Sequence, residues 1–500
     1  MENLETTSAR KPAPWARNAG PIGPAAVLLL AGLLAGCAAG PDFKPPAAPD
    51  ASRYTATPLP AQTASAAVVL GNSQRLAADI DADEHWWRGL GSPRLDALIE
   101  QAFRASPTLA SARATLRQAQ EVHAARAGST LYPQADVGIG AQRQRLNPGT
   151  LGQAGPAREF SLYNASVGVQ YQFDLAGGNR RALEALAARA EFRNYELEAA
   201  RLTLAANIVT AAITQARLGA QIGATQAILD GQQEQLHLAR ERERLGHAVP
   251  DEALALQTQV EQTRAGLPAL RKQHQQSEHL LAVLAGRAPG SGDMPAFMLE
   301  EFTLPSELPL VLPSELVRRR PDIRAAAALM HAANAEYGVA VARLYPQIGI
   351  SASLGSQALS TGALFGSGSA VWSLIGQLTQ PLFNPGLPAE KRAALAAFDA
   401  AAANYQGVVL ESLRNVADAL RALDNDAEAL AALAAADAAA HGSLESMQRQ
   451  YGLGAASYLQ LLTAQQQAQQ TRLNLIAAQA QRLADSVALY QAIGGGWAGT

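Results

Sequence analysis

The sequence predicts an α+β membrane protein written twice over. Three observations predict it: long tracts free of proline, four segments of two-residue alternation, and landmarks that recur in the same order in both halves. Each half reads as helix, strand, strand, very long helix, long helix.

The repeat comes first because it organises the rest. Pro107-Thr108-Leu109 returns as Pro321-Asp322-Ile323, 214 positions on, and Leu131-Tyr132-Pro133-Gln134 returns as Leu344-Tyr345-Pro346-Gln347, 213 on. Phe173-Asp174-Leu175 pairs with Phe383-Asn384-Pro385 at 210, while Leu245-Gly246 pairs with Leu453-Gly454, and 281–286 with 489–494, at 208. A slowly drifting offset is what duplication followed by a few loop deletions leaves. The first repeat is expected over 85–300 and the second over 301–497.

Strands are expected at about 134–145, 163–175, 347–357 and 370–383. Ala135, Val137 and Ile139 alternate with Asp136 and Gly138; Tyr163, Ala165, Val167, Val169, Tyr171 and Phe173 alternate with Asn164, Ser166, Gly168, Gln170 and Gln172. Ile348, Ile350, Ala352 and Leu354 repeat the pattern, then Trp372, Leu374 and Leu378 more weakly. Alternation alone also fits a half-buried sheet packed on helices. At about ten residues each, the segments are long enough for tilted membrane-crossing strands. Four cannot close a barrel, since membrane barrels begin at about eight strands, and an open edge is not tolerated in lipid. A membrane reading therefore requires oligomerisation, and three copies would supply twelve strands.

Long helices are expected at about 179–245, 251–285, 389–452 and 457–493. The first would extend roughly 100 Å at 1.5 Å per residue, far beyond a globular helix. Leu183, Ala190, Leu197, Leu204 and Ala211 recur every seventh residue. Leu473, Ile476, Ala480, Leu483, Val487 and Tyr490 alternate spacings of three and four, a coiled-coil seam. Abundant Ala and Gln with only 17% charged residues suit a wall of helices packed side by side. Gly246 and Gly454 are expected to reverse the chain between long helices. Pro268, whose repeat mate is Ile476, is expected to bend or loosen its helix.

The N-terminal region reads as export and anchoring. Arg10, Lys11 and Arg17 precede an apolar run over 25–39, too short for the roughly 20 residues of a spanning helix. Residues 1–36 are thus an expected signal peptide. Cys37, the single cysteine, follows Leu34-Ala35-Gly36, which resembles the bacterial lipobox, so Cys37 is expected to carry a covalent lipid. The rival reading of Cys37 is an idle thiol after an ordinary signal peptide. Residues 37–84, rich in Pro, Ala and Ser, read as an extended tether without its own core.

Composition excludes other classes. A net charge of −3 argues against a nucleic-acid partner. No HExxH, P-loop or GxSxG motif occurs, and His274 and His279 lie five apart, off a shared helical face, so no enzyme, metal or other cofactor is expected. Glu241, Glu243 and Glu261 read as solvated helix faces.

Several stretches together resemble the TolC superfamily, specifically the OprM/NodT-like lipoprotein outer-membrane factors. They are Cys37-Ala38-Ala39-Gly40-Pro41-Asp42-Phe43, Trp86-Trp87, 312–316 leading to Arg319-Arg320-Pro321-Asp322-Ile323, 451–459, and Ala492-Ile493-Gly494-Gly495-Gly496-Trp497. The resemblance implies a TolC-like trimeric channel-tunnel: a homotrimer with a 12-stranded β-barrel in outer-membrane lipid and a long periplasmic α-helical barrel. It implies partners as well, a periplasmic adaptor protein and an inner-membrane transporter of a tripartite (RND-type) efflux pump. Related ducts serve type I protein secretion or metal-ion efflux. From a different class, a lipid-anchored coiled-coil scaffold without a pore would explain Cys37 and the helices but not the strands. Near the closed end, such relatives carry an Asp four residues after the Leu matching Leu459 and an Arg three beyond it. Here those positions are Thr463 and Gln466. The implied gate is therefore a weaker, less salt-sensitive latch resting on Leu459, whose alternative role is core packing. Gly246 and Gly454 are candidate adaptor-docking points, with turn geometry as the alternative.

Overall fold

The computed structural model describes residues 39–496 apart from 48, 52, 79, 153, 247, 248 and 293, so Cys37 and Trp497 lie outside the described residues. The chain forms two compact units, and neither coincides with a sequence repeat. Among the described residues, one joins 39–40 with 130–181 and 338–388; the other joins 41–129, 182–337 and 389–496. Each draws on both halves because strands of the first repeat pair with strands of the second.

The first unit is built on an antiparallel sheet of β2 (Gln134–Leu146), β3 (Arg158–Phe173), β5 (Gln347–Ala358) and β6 (Ala370–Thr379), in the order β2-β3-β5-β6. Within each half, two strands form a hairpin. The halves join at β3 and β5, where Val167 stands opposite Leu354.

The second unit carries the buried core. Its remaining strands, β1 (Arg75–Ala77) and β4 (Glu307–Pro309), pair in parallel. The helices, in chain order, are α1 (Pro93–Ala105), α2 (Pro107–Leu131), α3 (Gly178–Arg244), α4 (Pro250–Leu284), α5 (Pro313–Arg319), α6 (Pro321–Ala342), α7 (Gly386–Gly452) and α8 (Tyr458–Ala492). The first few residues of α3 and α7 and the last of α6 belong to the sheet unit. Both long pairs have the same lengths, 67 residues for α3 and α7 and 35 for α4 and α8. Gly246 (φ 73°) and Gly454 (φ 72°) take the left-handed conformation at the reversals. After α7 the Gly454 N–H donates to the Tyr451 carbonyl and the Ala455 N–H to that of Gln450, closing the helix end. Then α8 opens on a capping box between Ser457 and Gln460. Helix α4 runs on through Pro268, which lies on its exposed side beside buried Leu267.

Trp86 and Trp87 are buried in the main core with Leu90, Leu95 and Ile99. Trp86 stacks on Tyr490 at 5.2 Å, and the Trp87 indole donates to Asp96 at 2.9 Å. The described part of the segment expected as a tether is held against the body. Residues 41–84 lack a core of their own, yet side chains strap them to the body. The Tyr54 hydroxyl donates to the Val311 carbonyl, Leu70 is buried, and Gln74 donates to the Pro305 carbonyl and the Ser486 hydroxyl. The partners lie 231 to 412 positions away, where local composition carries no trace of them.

Candidate channel-forming surfaces and helix tips

Register turns the alternation of the four strands into two chemically distinct faces. Val137, Val167, Leu354 and Trp372 stand in one row across the sheet. Ala135, Val169, Ala352 and Leu374 form the next, and Tyr171, Ile350 and Gly376 follow on β3, β5 and β6. The opposite face reads Asp136, Gly168, Ser353 and Ser373, then Gln134, Gln170, Ser351 and Ile375. Gln170 donates to Gln134 and Gln172 to Gln347, while the Ser353 and Ser373 hydroxyls lie 2.8 Å apart.

The apolar face is uncovered. Val137 is 77% exposed, Ile139 83% and Trp372 77%. Among the described residues of these strands none is buried. This overturns the reading of a half-buried sheet packed on helices. A contiguous apolar face of this size marks contact with a membrane or another protein.

The residues at the start of α8 come together as one exposed stripe. Leu459, Thr463 and Gln466 are spaced by four and three, hence on one helical face, and Gln470 and Asn474 continue it. Leu459 is 69% exposed, so it does not pack in its own chain's core. The Thr463 hydroxyl donates to the Leu459 carbonyl at 2.9 Å, which leaves it committed to its own helix. No carboxylate or guanidinium stands in the stripe.

At Gly246 and Gly454 an added Cβ would meet nothing within 4 Å, so the left-handed φ alone explains both glycines. The reversals are apolar at their surface: Leu245, Val249 and Leu453 are all exposed. Sequence reasoning passed over Arg242, whose guanidinium sits over the Tyr451 ring at 5.5 Å and links the two reversals.

Arg482 and Asp485 were also overlooked. Both are buried on α8, and Arg482 donates to Gln74 at 2.8 Å and to Thr63 at 3.3 Å. Burial pushes the Asp485 carboxyl up to about 7. An Arg and an Asp beside the apolar seam of Ile476, Ala480 and Leu483 were the available signal.

Comparison with known proteins agrees with this geometry. The family described as outer membrane efflux protein matches residues 98–287 and 312–495. The pyoverdine export outer membrane protein OpmQ of Pseudomonas putida is 31% identical over 435 residues, covering 83% of this chain and 88% of OpmQ. Outer membrane protein OprJ of Pseudomonas aeruginosa is 29% identical, covering 94% and 95%. Among solved structures, the outer-membrane channel OprN superposes with a TM-score of 0.82 at 25% identity, covering 92% of this chain and 99% of OprN. VceC of Vibrio cholerae gives 0.76 at 26%, covering 83% and 99%. With family similarity over most of its length and an apolar sheet face left for a membrane, the chain belongs to the outer membrane efflux protein family.

Proposed function

We propose that three copies of this chain form the exit duct of a tripartite (RND-type) efflux pump. The duct passes small molecules from a periplasmic adaptor and an inner-membrane transporter to the exterior and catalyses no reaction. The observation that carries the reading is the four-stranded sheet, apolar and uncovered on one side and lined with Gln, Ser and Gly on the other. That is the cross-section of a lipid-facing, water-lined barrel wall, and twelve strands close it where four leave two open edges. A pore-less coiled-coil scaffold has no use for such a sheet.

The repeat supports a ring of identical copies. Within the chain, the second strand of the first repeat (β3) pairs with the first strand of the second (β5). In the same direction, the long helix of the first repeat, α3, receives the short helix of the second, α6. Tyr195 packs with Ala325 and Ala328, Arg324 lies over the Tyr195 ring at 4.3 Å, and His331 meets Glu184 at 2.8 Å. The equivalent partners for β6 and α7 are β2 and α2 of the next copy. Those are the elements left bare: of α2 only Leu109 is buried, and residues 386–404 of α7 are without a buried position. Such a head-to-tail contact generates a ring when its rotation closes, and three copies close this one.

The remaining assignments follow the family resemblance. Cys37 carries the lipid that holds the N-terminus at the outer membrane. The exposed reversals around Gly246 and Gly454 receive the adaptor. The Leu459, Thr463 and Gln466 stripes of three copies converge at the gate, which closes on Leu459 without a carboxylate ring.

Single-channel conductance of the purified protein in a planar bilayer tests the reading, with Thr463→Asp for comparison. A conducting pore whose cation preference rises in Thr463→Asp is expected, because three added carboxylates at a constriction select cations. Folded preparations that never conduct, even after deletion of 451–466, would sink the duct.

A further inference from the structure

A cavity of about 910 Å³ opens in the second unit, walled by α3, α7 and α8 and roofed by Val68, Val69 and Leu299. Its volume falls within the roughly 300–1,000 Å³ of pockets that hold drug-sized molecules. One wall is smooth and apolar because α3 presents Gly223, Ala224, Ala227 and Gly231 there. Leu475 and Ile476 of α8 face the same space.

The buried polar side chains of the lining are amides. Gln232 on α3 is 3% exposed, yet neither its Nε2 nor its Oε1 has a partner among the described residues. Gln465 on α8 is also buried; its Nε2 donates to Gln235, and its Oε1 has no partner. A buried amide left unpaired is destabilising, so a molecule that supplied both an acceptor and a donor would recover that cost. Among the charged groups of the lining, Arg472 lies 3.7 Å from Asp437 and His441 3.7 Å from Glu445, while the Glu300 carboxylate is exposed to solvent, so the buried part of the lining is neutral.

We propose that this cavity is a binding site for uncharged aromatic or alkyl carboxamides, whose amide pairs with Gln232 and Gln465 while the apolar body lies along the small-residue wall of α3. The proposal concerns one protomer's helices and stands independently of the trimeric duct.

The probe is 1-naphthaleneacetamide, measured by equilibrium dialysis against the full-length, detergent-solubilised protein, with matched micelles in both compartments. Saturable uptake of one molecule per chain is expected. Ala227→Trp fills the cavity and should abolish uptake. Gln232→Leu removes the amide pair and should weaken binding about tenfold, while thermal unfolding stays level or rises because an unpaired polar group is gone. 1-Methylnaphthalene, which keeps the rings and lacks the amide, should bind at least tenfold more weakly than the amide to the unaltered protein and equally well to Gln232→Leu. Uptake that is absent, or unchanged by Ala227→Trp in folded protein, overturns the site; a groove that admits only a partner's helix would give the first result. If Ala227→Trp fails to fold, an unchanged affinity in Gln232→Leu overturns it alone.

Discussion

Asp485 and Arg482 stand one helical turn apart on α8, and both are withdrawn from water. Burial raises the Asp485 carboxyl more than the Gln481 hydrogen bond and the Arg482 charge lower it, and Asp426 of α7 raises it further through its negative charge and a shared hydrogen bond. Gln481 on the same helix also donates to Asp485, at 2.7 Å. Among the described residues, the strap side of the cluster offers the neutral partners Thr63, Asn72 and Gln74, all to Arg482. The folded chain therefore holds a proton that the unfolded chain releases near pH 4. Stability from this group is fully present below about pH 4, declines as pH rises toward about 7, and is flat beyond. The slope is at most about 1.4 kcal/mol per pH unit for one proton. Denaturant unfolding between pH 4.5 and 8 should show this decline in the unaltered protein and lose it in Asp485→Asn. An unchanged slope in Asp485→Asn would assign the proton elsewhere. None of this was legible from a motif, because both burial and the Asp426 partner come from helix packing.

At the scale of elements, the four long helices owe their length to composition and their ends to single residues. Pro268 removes one backbone donor from the middle of α4 and stands on its exposed side. Pro268→Ala restores that hydrogen bond and should stabilise the protein by about 1–3 kcal/mol, read as a rise in the melting temperature. No rise would mean that the surrounding wall already compensates. Gly454 is the converse case. At φ 72° a Cβ is strained although nothing obstructs it, so Gly454→Ala should cost about 1–2 kcal/mol in the same assay. The reversal glycines and strand alternation were legible because φ and side-chain alternation are local properties. The strapping of 41–84 was not, since its hydrogen bonds close loops of hundreds of residues.

At the scale of the whole molecule, the sheet faces and the bare elements decide assembly. Val137→Arg places a charge in the apolar row and should cost about 2–4 kcal/mol if that row crosses lipid at mid-depth. Ser353→Arg, on the polar face, should be tolerated. The readout is the amount of assembled oligomer in outer membranes; equal loss from both substitutions would contradict the two-faced barrel wall. The ring has its own test. Shifting Ala328 and Tyr195 by the repeat offsets gives Ala114 on α2 and Ala403 on α7, both exposed. Oxidised Ala114→Cys/Ala403→Cys protein should run as covalent dimers and trimers on non-reducing gels, and monomer alone would reject the α2–α7 contact.

Much of this chain was written in one dimension. Helix length, strand alternation, the ordered landmarks of the two halves and the reversal glycines are properties of neighbouring residues and their spacing. Residue pattern alone therefore determined the α+β class and the element order, and family resemblance added the outer-membrane expectation. Tertiary structure decided which residues face which. The sheet could have packed on helices, and only register together with exposure showed its apolar face uncovered. Leu459 could have been core, and only its solvent exposure placed it on a bare stripe with Thr463 and Gln466. The buried Arg482–Gln74 link, the raised Asp485 and the amide-lined cavity all arise where segments hundreds of residues apart exclude water together. Desolvation has no one-dimensional signature, because it depends on what the distant chain brings to the same place.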